Sequence, residues 1–392
     1  MAQELAYVLI NPYTLMKSRT GGVIARLLGR SNLELVACRM FAPNEEMVNE
    51  FCEVIMSDSK GSRQIRDHIV DYLRNNYIRH PNSKMHNRVM FLLFKGENAV
   101  NKIRKVVGPL VHKTISGETI RDTYGDYIKD AKGNITYFEP AVLVPPDAKN
   151  AEKRLKIWAK YSRENGGLLE KTIKYRNRKK VQKTLVLIKP DNFRGPSHKA
   201  GNIIDLFSRT GLYIIGTKLV NLSLKEAEEF YGPVRKVLAE KLQARIKERI
   251  KKAIETEFGF KAPDTCLDKV TDEISNINAE NEFNNIIYFM TGIDRRNPEI
   301  LKNKDRKGRV KCLALVYQGK EAVQKIRNQL GSTDPTKAEW ATVRREFGQN
   351  VMENTAHASD SPLNAEREMR IIDIDKDDID QIVRDFYGKK KK

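Results

Sequence analysis

The chain of 392 residues has no run of about 20 consecutive apolar residues, the length that a membrane-spanning helix requires. Its N-terminus lacks the basic segment followed by an apolar segment that marks a secretory signal peptide. Cysteine is scarce as well, and its four residues are scattered without CxxC spacing: Cys38, Cys52, Cys266 and Cys312. Such spacing is typical of reduced thiols rather than of disulfides or a metal site. These absences favour a cytoplasmic protein without membrane contact.

Acidic residues are outnumbered by basic ones. The chain has 71 Lys and Arg against 51 Asp and Glu, which gives a formal net charge of +20. An excess of this size favours partners that carry phosphates, such as nucleotides or nucleic acid, or an acidic protein surface. A basic solvated face with a few phosphate-binding residues would explain the charge equally well. The length and the 40% hydrophobic content fit two or three domains with real cores.

An internal repeat runs through the chain. Residues 7–12 (YVLINP) match residues 185–190 (LVLIKP), and both read as buried strands that end at a proline. Residues 94–108 and 317–331 then share Gly, Ala-Val, Lys-Ile-Arg and a final Gly at one offset of 223 residues. Agreement in the same order at so many positions indicates two copies of one domain.

The repeat predicts a first domain at 4–145 and a second at 183–388, which we call the first and second repeat. Residues 146–182 between them are basic and carry Trp158, Tyr161 and Tyr175. This linker is interpreted as a helix packed on a domain, or alternatively as a nucleic-acid-binding strap with interleaved aromatics. The four lysines at 389–392 predict a frayed basic tail.

The second repeat contains an inserted helical segment at about 233–281. Apolar residues recur in it at steps of four, as expected for one face of a long amphipathic helix: Val234, Leu238, Leu242, Ile246, Ile250 and Ile254. Packing against a core or a partner explains this stripe more simply than membrane binding does.

The segment with the richest chemistry is 354–369 (NTAHASDSPLNAEREM). Small residues leave room around His357 for a bulky group, and Glu368 could hold one ring nitrogen so that the other is able to attack. Cations elsewhere in the repeat suit a polyphosphate target, because arginine and lysine both bind phosphate oxygens: Lys189, Arg327 and Arg344.

This segment resembles the active-site signature of nucleoside diphosphate kinases, Asn-x-x-His-(Gly/Ala)-Ser-Asp, and the resemblance extends over nearly the whole second repeat. It implies catalytic roles for His357, Lys189, Glu368, Ser359 and Tyr231. It implies nucleotide binding by Lys189, Ile286, Arg327, Thr333, Arg344 and Asn354. No metal ligand is implied within the protein, because Mg²⁺ would be bridged by the nucleotide phosphates.

The family resemblance implies an α/β (α+β) fold of two ferredoxin-like domains, each a four-stranded antiparallel sheet covered by helices. It also implies ping-pong transfer of the γ-phosphate from a nucleoside triphosphate to a nucleoside diphosphate through phosphohistidine at His357. Homo-oligomers are usual in the family, although the fused repeat and the insertion could block the usual hexamer.

Two residues depart from the family pattern near the nucleotide. Ala358 replaces the glycine that usually follows the histidine, which is a mild change. The lid's aliphatic residue aligns with Ile286, but its stacking phenylalanine aligns with Glu282, one position before Phe283. The sequence therefore predicts altered stacking of the nucleotide base.

The first repeat has lost the chemistry. Asn11 replaces the lysine and Tyr13 the aspartate of the first-strand motif, and no histidine occurs between residues 114 and 194. The nucleophile position is predicted to hold Tyr137 or Asn134, depending on how a gap is placed. Because Arg104 and Arg121 survive, this copy is interpreted either as a structural partner or as a nucleotide-sensing domain.

A second class of function is a non-catalytic or weakly catalytic kinase-like scaffold that binds nucleic acid or an acidic filament surface through the basic linker and tail. The +20 charge and the degenerate first repeat motivate it. A P-loop kinase is excluded because no G-x-x-x-x-G-K-[ST] motif occurs, and histidine phosphatases are disfavoured because no Arg-His-Gly motif occurs.

Overall fold

The computed structural model describes residues 3–58, 62–78, 87–110 and 116–388, so the predicted basic tail at 389–392 lies outside the described residues. It contains two four-stranded sheets and one two-stranded hairpin. The strands are β1 (Gln3–Ile10), β2 (Glu34–Phe41), β3 (Val89–Glu97), β4 (Asp126–Lys129), β5 (Ile135–Glu139), β6 (Val142–Leu143), β7 (Val181–Ile188), β8 (Tyr213–Val220), β9 (Cys312–Lys320) and β10 (Ala356–Ala358).

Helices pack on these sheets. Those of the first half are α1 (Pro12–Met16), α2 (Thr20–Arg30), α3 (Glu45–Met56), α4 (Arg63–Asn76), α5 (Ala99–Val107), α6 (Ile120–Tyr124), α7 (Ala148–Lys160) and α8 (Ser162–Asn165). Those of the second half are α9 (Lys199–Ser208), α10 (Leu224–Phe258), α11 (Asp264–Thr291), α12 (Pro298–Leu301), α13 (Ala322–Leu330), α14 (Val343–Phe347), α15 (Pro362–Ile371) and α16 (Ile379–Gly388).

The two sheets have the same topology. The first has the order β6-β1-β3-β2 and the second the order β10-β7-β9-β8. The central pairs β1–β3 and β7–β9 are antiparallel over eight residues each. Their strands are nearly continuous apolar runs because helices or loops cover both faces. This arrangement confirms the predicted α/β fold class.

One hydrophobic core lies between the two repeats, where α2 packs against α9. The helices approach closely because glycines face each other. A Cβ added to Gly21 would lie 2.4 Å from the backbone nitrogen of Asp205, and one added to Gly201 would lie 2.2 Å from that of Ala25. Any larger side chain at either glycine would force the helices apart.

A second core covers the other face of the first sheet and takes in the helix α7 of the predicted linker. Trp158 is 1% exposed, with its ring 4.9 Å from Phe41 and 5.6 Å from Phe91. Tyr161 is buried too. The linker is therefore a helix packed on the first sheet, and these two aromatic rings are not available to stack on nucleic-acid bases.

The C-terminal helix α16 also packs into this second core, through Ile379 and Val383. The segment before it is bound by Arg39, which donates hydrogen bonds to the backbone oxygens of Asp375 and Lys376 at 2.8 and 3.1 Å. The end of the second repeat thus completes the core of the first.

By its internal contacts the chain divides into two compact units, one of residues 1–219 with 313–392 and one of residues 220–312. The first unit holds both sheets. Since this division does not separate the two repeats, the domain limits inferred from the repeat stay a proposal.

The unit of residues 220–312 contains the inserted segment, which is a pair of helices rather than one. Helix α10 begins at the capping box of Ser223 and Glu226 and ends at Gly259, whose φ of 74° favours glycine. Helix α11 buries a face that recurs every four residues: Leu267, Thr271, Ser275, Ala279, Phe283 and Ile287. Among the described residues, no helix combines the length and the apolar character that crossing a membrane would need.

Candidate active site

His357 lies at the centre of β10, the edge strand of the second sheet, opposite Leu187 of β7. Thr355, the residue just before β10, has a φ of 72°, a region that non-glycine residues seldom adopt. Two nitrogens hold its carbonyl oxygen, the backbone nitrogen of Lys189 and the side-chain amide of Asn192, both at 2.8 Å. The strained turn is thus fixed, and the imidazole that follows stays 24% exposed.

Glu368 positions the imidazole. Its Oε1 lies 3.0 Å from His357 Nε2, and its Oε2 accepts a hydrogen bond of 2.6 Å from the Ser359 hydroxyl. The carboxylate is 5% exposed and projects from α15, which Ser361 caps at its N-terminus. Because a carboxylate accepts, the pair assigns the proton to Nε2 and leaves Nδ1 with a free lone pair.

Lys189 follows directly after strand β7. Its ammonium donates to Asn354 Oδ1 at 2.6 Å and to the backbone oxygen of Met352 at 3.3 Å. The amide of Asn354 in turn donates to the backbone oxygen of Thr333 at 3.1 Å. The lysine, the asparagine and the threonine loop are therefore joined in one hydrogen-bonded chain.

A cleft of about 570 Å³ opens beside the imidazole and is lined by His357, Thr333, Arg327 and Arg344. Burial, and secondarily the charge of nearby Arg327, lowers the pKa of Arg344 to about 10. Arg344 remains a cation at neutral pH, so the cleft presents two positive charges beside the imidazole of His357. Such a lining suits the oxygens of a polyphosphate.

Two predicted site residues, Tyr231 and Ile286, belong to the unit of residues 220–312, so their roles stay predictions. In that unit Phe283 is 3% exposed, and the guanidinium groups of Arg235 and Arg295 lie 5.8 and 5.3 Å from the centre of its ring. The phenylalanine next to the predicted stacking position is thus held within the helix pair.

In the first repeat, strand β6 takes the place of β10. Leu143 pairs with Leu9 as His357 pairs with Leu187, and the two pairs occupy corresponding positions in the matched strands β1 and β7. The residue at the nucleophile position is therefore Leu143, which can carry no phosphate.

The prediction of Tyr137 or Asn134 at this position is wrong. Both residues lie in or beside the β4–β5 hairpin, which precedes β6, and Asn134 bonds to Asp130 in the hairpin turn. The hairpin adds residues between α6 and the short strand β6. An alignment of the two repeats by residue type alone therefore assigns the position of His357 to the hairpin instead of to β6.

A buried polar network occupies the first repeat where the second has its lysine. Asn11, at the position of Lys189, accepts a hydrogen bond from the Tyr77 hydroxyl at 2.8 Å and donates one to Glu139 at 3.3 Å. Glu139 accepts another from the Tyr72 hydroxyl at 2.7 Å. Burial raises the pKa of Glu139 and of both tyrosines. Sequence reasoning missed this network because its members are far apart in the chain.

Of the two arginines that survive in the first repeat, Arg121 has a structural role. Arg121 donates at 2.6, 3.4 and 3.0 Å to three backbone oxygens, those of Gly108, Pro140 and Val142. Arg344 donates at 3.1 Å to the two corresponding oxygens, those of Gly331 and Ala356. Retention of Arg121 is therefore explained without a nucleotide, whereas Arg104 is exposed.

Comparison with known proteins gives one family. The model of the family described as nucleoside diphosphate kinase matches residues 4–158, 182–251 and 304–377, which together make up more than half of the chain. The first matched segment extends through most of α7, and the gap between the other two begins within α10 and includes α11 and α12.

Individual relatives each match about half of the chain. A nucleoside diphosphate kinase of Helicobacter pylori (strain Shi470) is 29% identical over 188 residues, covering 48% of this chain and 92% of the relative. One of Bdellovibrio bacteriovorus is 29% identical over 191 residues, covering 49% and 92%. One of Halorhodospira halophila is 26% identical over 189 residues, covering 48% and 90%.

Two solved structures are similar. An NDP kinase from Pyrobaculum aerophilum is 28% identical with a TM-score of 0.33, covering 49% of this chain and 94% of that one. The Aquifex aeolicus nucleoside diphosphate kinase is 22% identical with a TM-score of 0.31 and the same coverage.

Proposed function

The chain belongs to the nucleoside diphosphate kinase family, and from this premise we propose that its second repeat moves the γ-phosphate of a nucleoside triphosphate to a nucleoside diphosphate through His357. The observation that carries the proposal is the contact of 3.0 Å between Glu368 and Nε2 of an imidazole that lines a cleft with Arg327 and Arg344. The imidazole is thereby oriented with its nucleophilic nitrogen available to a phosphate.

The reaction has two balanced steps. In the first, the lone pair of His357 Nδ1 forms a bond to the γ-phosphorus, and the bond from that phosphorus to the β–γ bridging oxygen breaks, so the nucleoside diphosphate leaves with the electron pair. In the second, a terminal oxygen of another diphosphate attacks the phosphohistidine and the N–P bond breaks. Positioning and charge neutralisation therefore matter more than acid–base catalysis.

Cations stabilise the charge that spreads over the transferring group. Arg327 and Arg344 line the cleft, and Lys189 is held near it through Asn354. A preorganised donor aimed at developing negative charge typically contributes about 10²–10³ in rate. Thr333 lines the same cleft and supplies a hydroxyl donor.

Magnesium fits this site as a partner of the nucleotide. Among the described residues that line the cleft, Asp360 is the one carboxylate, beside two arginines. Because Mg²⁺ in phosphoryl transfer is typically held by one or two carboxylates and the phosphate oxygens, this lining suits an ion that arrives on the nucleotide. When bound it would neutralise part of the phosphate charge.

The first repeat is proposed to be a structural copy. Leu143 stands at its nucleophile position, and the network of Asn11, Tyr72, Tyr77 and Glu139 occupies the place of the lysine. Base selection in the second repeat is proposed to differ from that of relatives with a stacking phenylalanine, because Phe283 is buried and in contact with two guanidinium groups. All four cysteines are free thiols, which supports a cytoplasmic location.

Incubation of the full chain with γ-labelled ATP tests the proposal. We expect acid-labile, base-stable phosphate on the protein and transfer to added nucleoside diphosphates. His357→Ala should abolish both, by a factor of about 10⁴ or more, as removal of a covalent nucleophile does.

His198→Ala is the matched control, since it removes a histidine that begins helix α9 away from β10, and it should label like the parent chain. Equal labelling of the His357→Ala variant, or a parent chain that acquires no label and transfers no phosphate, would refute the proposal.

A further inference from the structure

A small cavity of about 190 Å³ lies between the two repeats, and its lining does not include His357. The first repeat contributes Ser18, Thr20 and Arg88 to its polar lining, and the second contributes Tyr213 and Tyr317. All of them belong to the unit that holds both sheets. The catalytic proposal uses none of these side chains.

In the described part of the chain, Arg88 is a buried cation that forms no ion pair with a carboxylate. The residue is 3% exposed, its Nη1 donates to the backbone oxygen of Ile214, and its guanidinium lies 5.3 Å from the centre of the Tyr213 ring. Within the described residues its Nε has no hydrogen-bond partner. Burial lowers its pKa to about 10, and the groups that act against this are Tyr213 and Tyr175 rather than carboxylates.

The segments outside the described residues contain no aspartate or glutamate that could pair with this arginine. A buried charge without a partner is strongly unfavourable. Arg121, by contrast, is a buried guanidinium that donates hydrogen bonds to three backbone oxygens. Arg88 is therefore a cation whose surroundings are incomplete.

Tyr317 contributes a second unsatisfied donor. It is 1% exposed, and its hydroxyl has no hydrogen-bond partner among the described residues. At the matched positions of the other repeat the chain has Phe94 in place of Tyr317 and Lys311 in place of Arg88. Each copy thus supplies one of the two groups, the guanidinium from the first repeat and the hydroxyl from the second, and neither copy has both. Both are donors, so their missing partner is an acceptor.

We propose that this cavity binds one small inorganic oxyanion of the phosphate or sulfate type, held by Arg88 and the Tyr317 hydroxyl. Its volume decides against other ligands. About 190 Å³ is several times the roughly 30 Å³ of one water molecule. It is below the roughly 300 Å³ at which pockets for drug-sized molecules begin, so a nucleotide does not fit.

The anion would join the repeats, because its two principal ligands come from different copies. A ligand that binds only the folded chain stabilises it by an amount that grows with the ratio of ligand concentration to dissociation constant. Phosphate should therefore raise the unfolding temperature of the parent chain, and chloride at equal ionic strength should not.

Calorimetric titration of inorganic phosphate into the full chain tests the site. Arg327→Ala is included as the background so that phosphate binding in the cleft at His357 is weakened. We expect one phosphate per chain, with binding about tenfold weaker or more when Tyr317→Phe is added, since a hydrogen bond to a charged group is lost. Arg88→Lys should also weaken it, because a lysine lacks the planar fork.

Tyr175→Phe is the matched control, since that hydroxyl bonds to Gln318 and does not line the cavity, and it should bind phosphate like the background chain. The proposal is overturned if the background chain binds neither phosphate nor sulfate at millimolar concentration. It is overturned equally if Tyr317→Phe and Arg88→Lys bind phosphate as tightly as the control. Tyr317→Phe substitutes the residue already present in the other copy, so it keeps the test valid if the arginine variant does not fold.

Discussion

At the end of β1 the first repeat places Asn11, and at the end of β7 the second repeat places Lys189. The backbones around them correspond: Ala141 and Thr355 both have positive φ, and each accepts a hydrogen bond from the residue that ends the strand. The interiors differ, because one copy fills the site with a tyrosine–glutamate network and the other keeps an open cleft. The shared backbone turn therefore does not depend on the lysine. Only the side chains placed on it decide whether a copy could perform chemistry.

The largest expected effect comes from making the second copy like the first at the strand end. Lys189→Asn should lower kcat/KM for phosphate transfer by about 10²–10³, because a fixed positive charge near the transferring group is lost. Steady-state assays with several diphosphates measure this. Lys320→Asn removes an exposed lysine of β9 as the control. A loss of less than tenfold would remove the role assigned to Lys189 in stabilising the transferring group.

Substitution of Arg121 and of Arg344 should distinguish a role in folding stability from a role in nucleotide binding. Arg121→Met leaves buried carbonyl oxygens unpaired and should cost about 3 kcal/mol of folding free energy, with nucleotide affinity unchanged. Arg344→Met should cost stability and also weaken nucleotide binding. Denaturant unfolding and nucleotide titration measure the two quantities, and Arg104→Met is the exposed control. Weaker nucleotide binding by Arg121→Met would revive the nucleotide-sensing interpretation of the first repeat.

Glu368 is expected to act by positioning His357. Glu368→Gln should lower kcat by about tenfold, because the amide no longer fixes one ring tautomer, while KM for the triphosphate changes little. Glu366→Gln changes an exposed residue of the same helix and should leave both kcat and KM as they are. Unaltered kinetics in the Glu368→Gln variant would remove its assigned role.

The smallest effect concerns the filled site of the first copy. Since burial raises the pKa of Glu139, the stability that this carboxyl contributes is complete below its unfolded pKa of about 4.3. It is lost as the pH rises through the folded value. Glu139→Gln cannot ionise and should therefore be the more stable chain at pH 7, by an amount on the order of 1 kcal/mol. The difference should shrink towards pH 4.

Thermal unfolding of both chains at the two pH values measures this difference, with exposed Glu118→Gln as the control. A glutamine variant that is less stable than the parent chain at pH 7 would mean that the network stabilises the ionised carboxyl.

Local patterns were enough to predict much of this molecule. The apolar strands that end at Pro12 and Pro190 predicted both sheets, and the segment around His357 predicted the residues that meet at the cleft. These inferences needed only short stretches whose order along the chain is kept in both copies.

Other features depend on long-range pairing and could not be read locally. Leu143 replaces the nucleophile because of the register of a two-residue strand, which no residue type marks. The hydrogen bond between Asn11 and Glu139 joins residues 128 positions apart. The sequence does contain a signal for the division of the insertion into two helices, because glycine commonly ends a helix and α10 ends at Gly259. The apolar stripe alone does not reveal this division.

The helix α16 has a consequence for how the protein is made. Its Ile379 and Val383 belong to the core around Trp158, yet they lie at the end of the second repeat, which is synthesised after the first. The first copy therefore cannot finish its interior when its own residues have emerged, although N-terminal domains generally fold first during synthesis. Its completion waits until α16 has been made, so a polypeptide that stops before α16 would expose that interior to degradation.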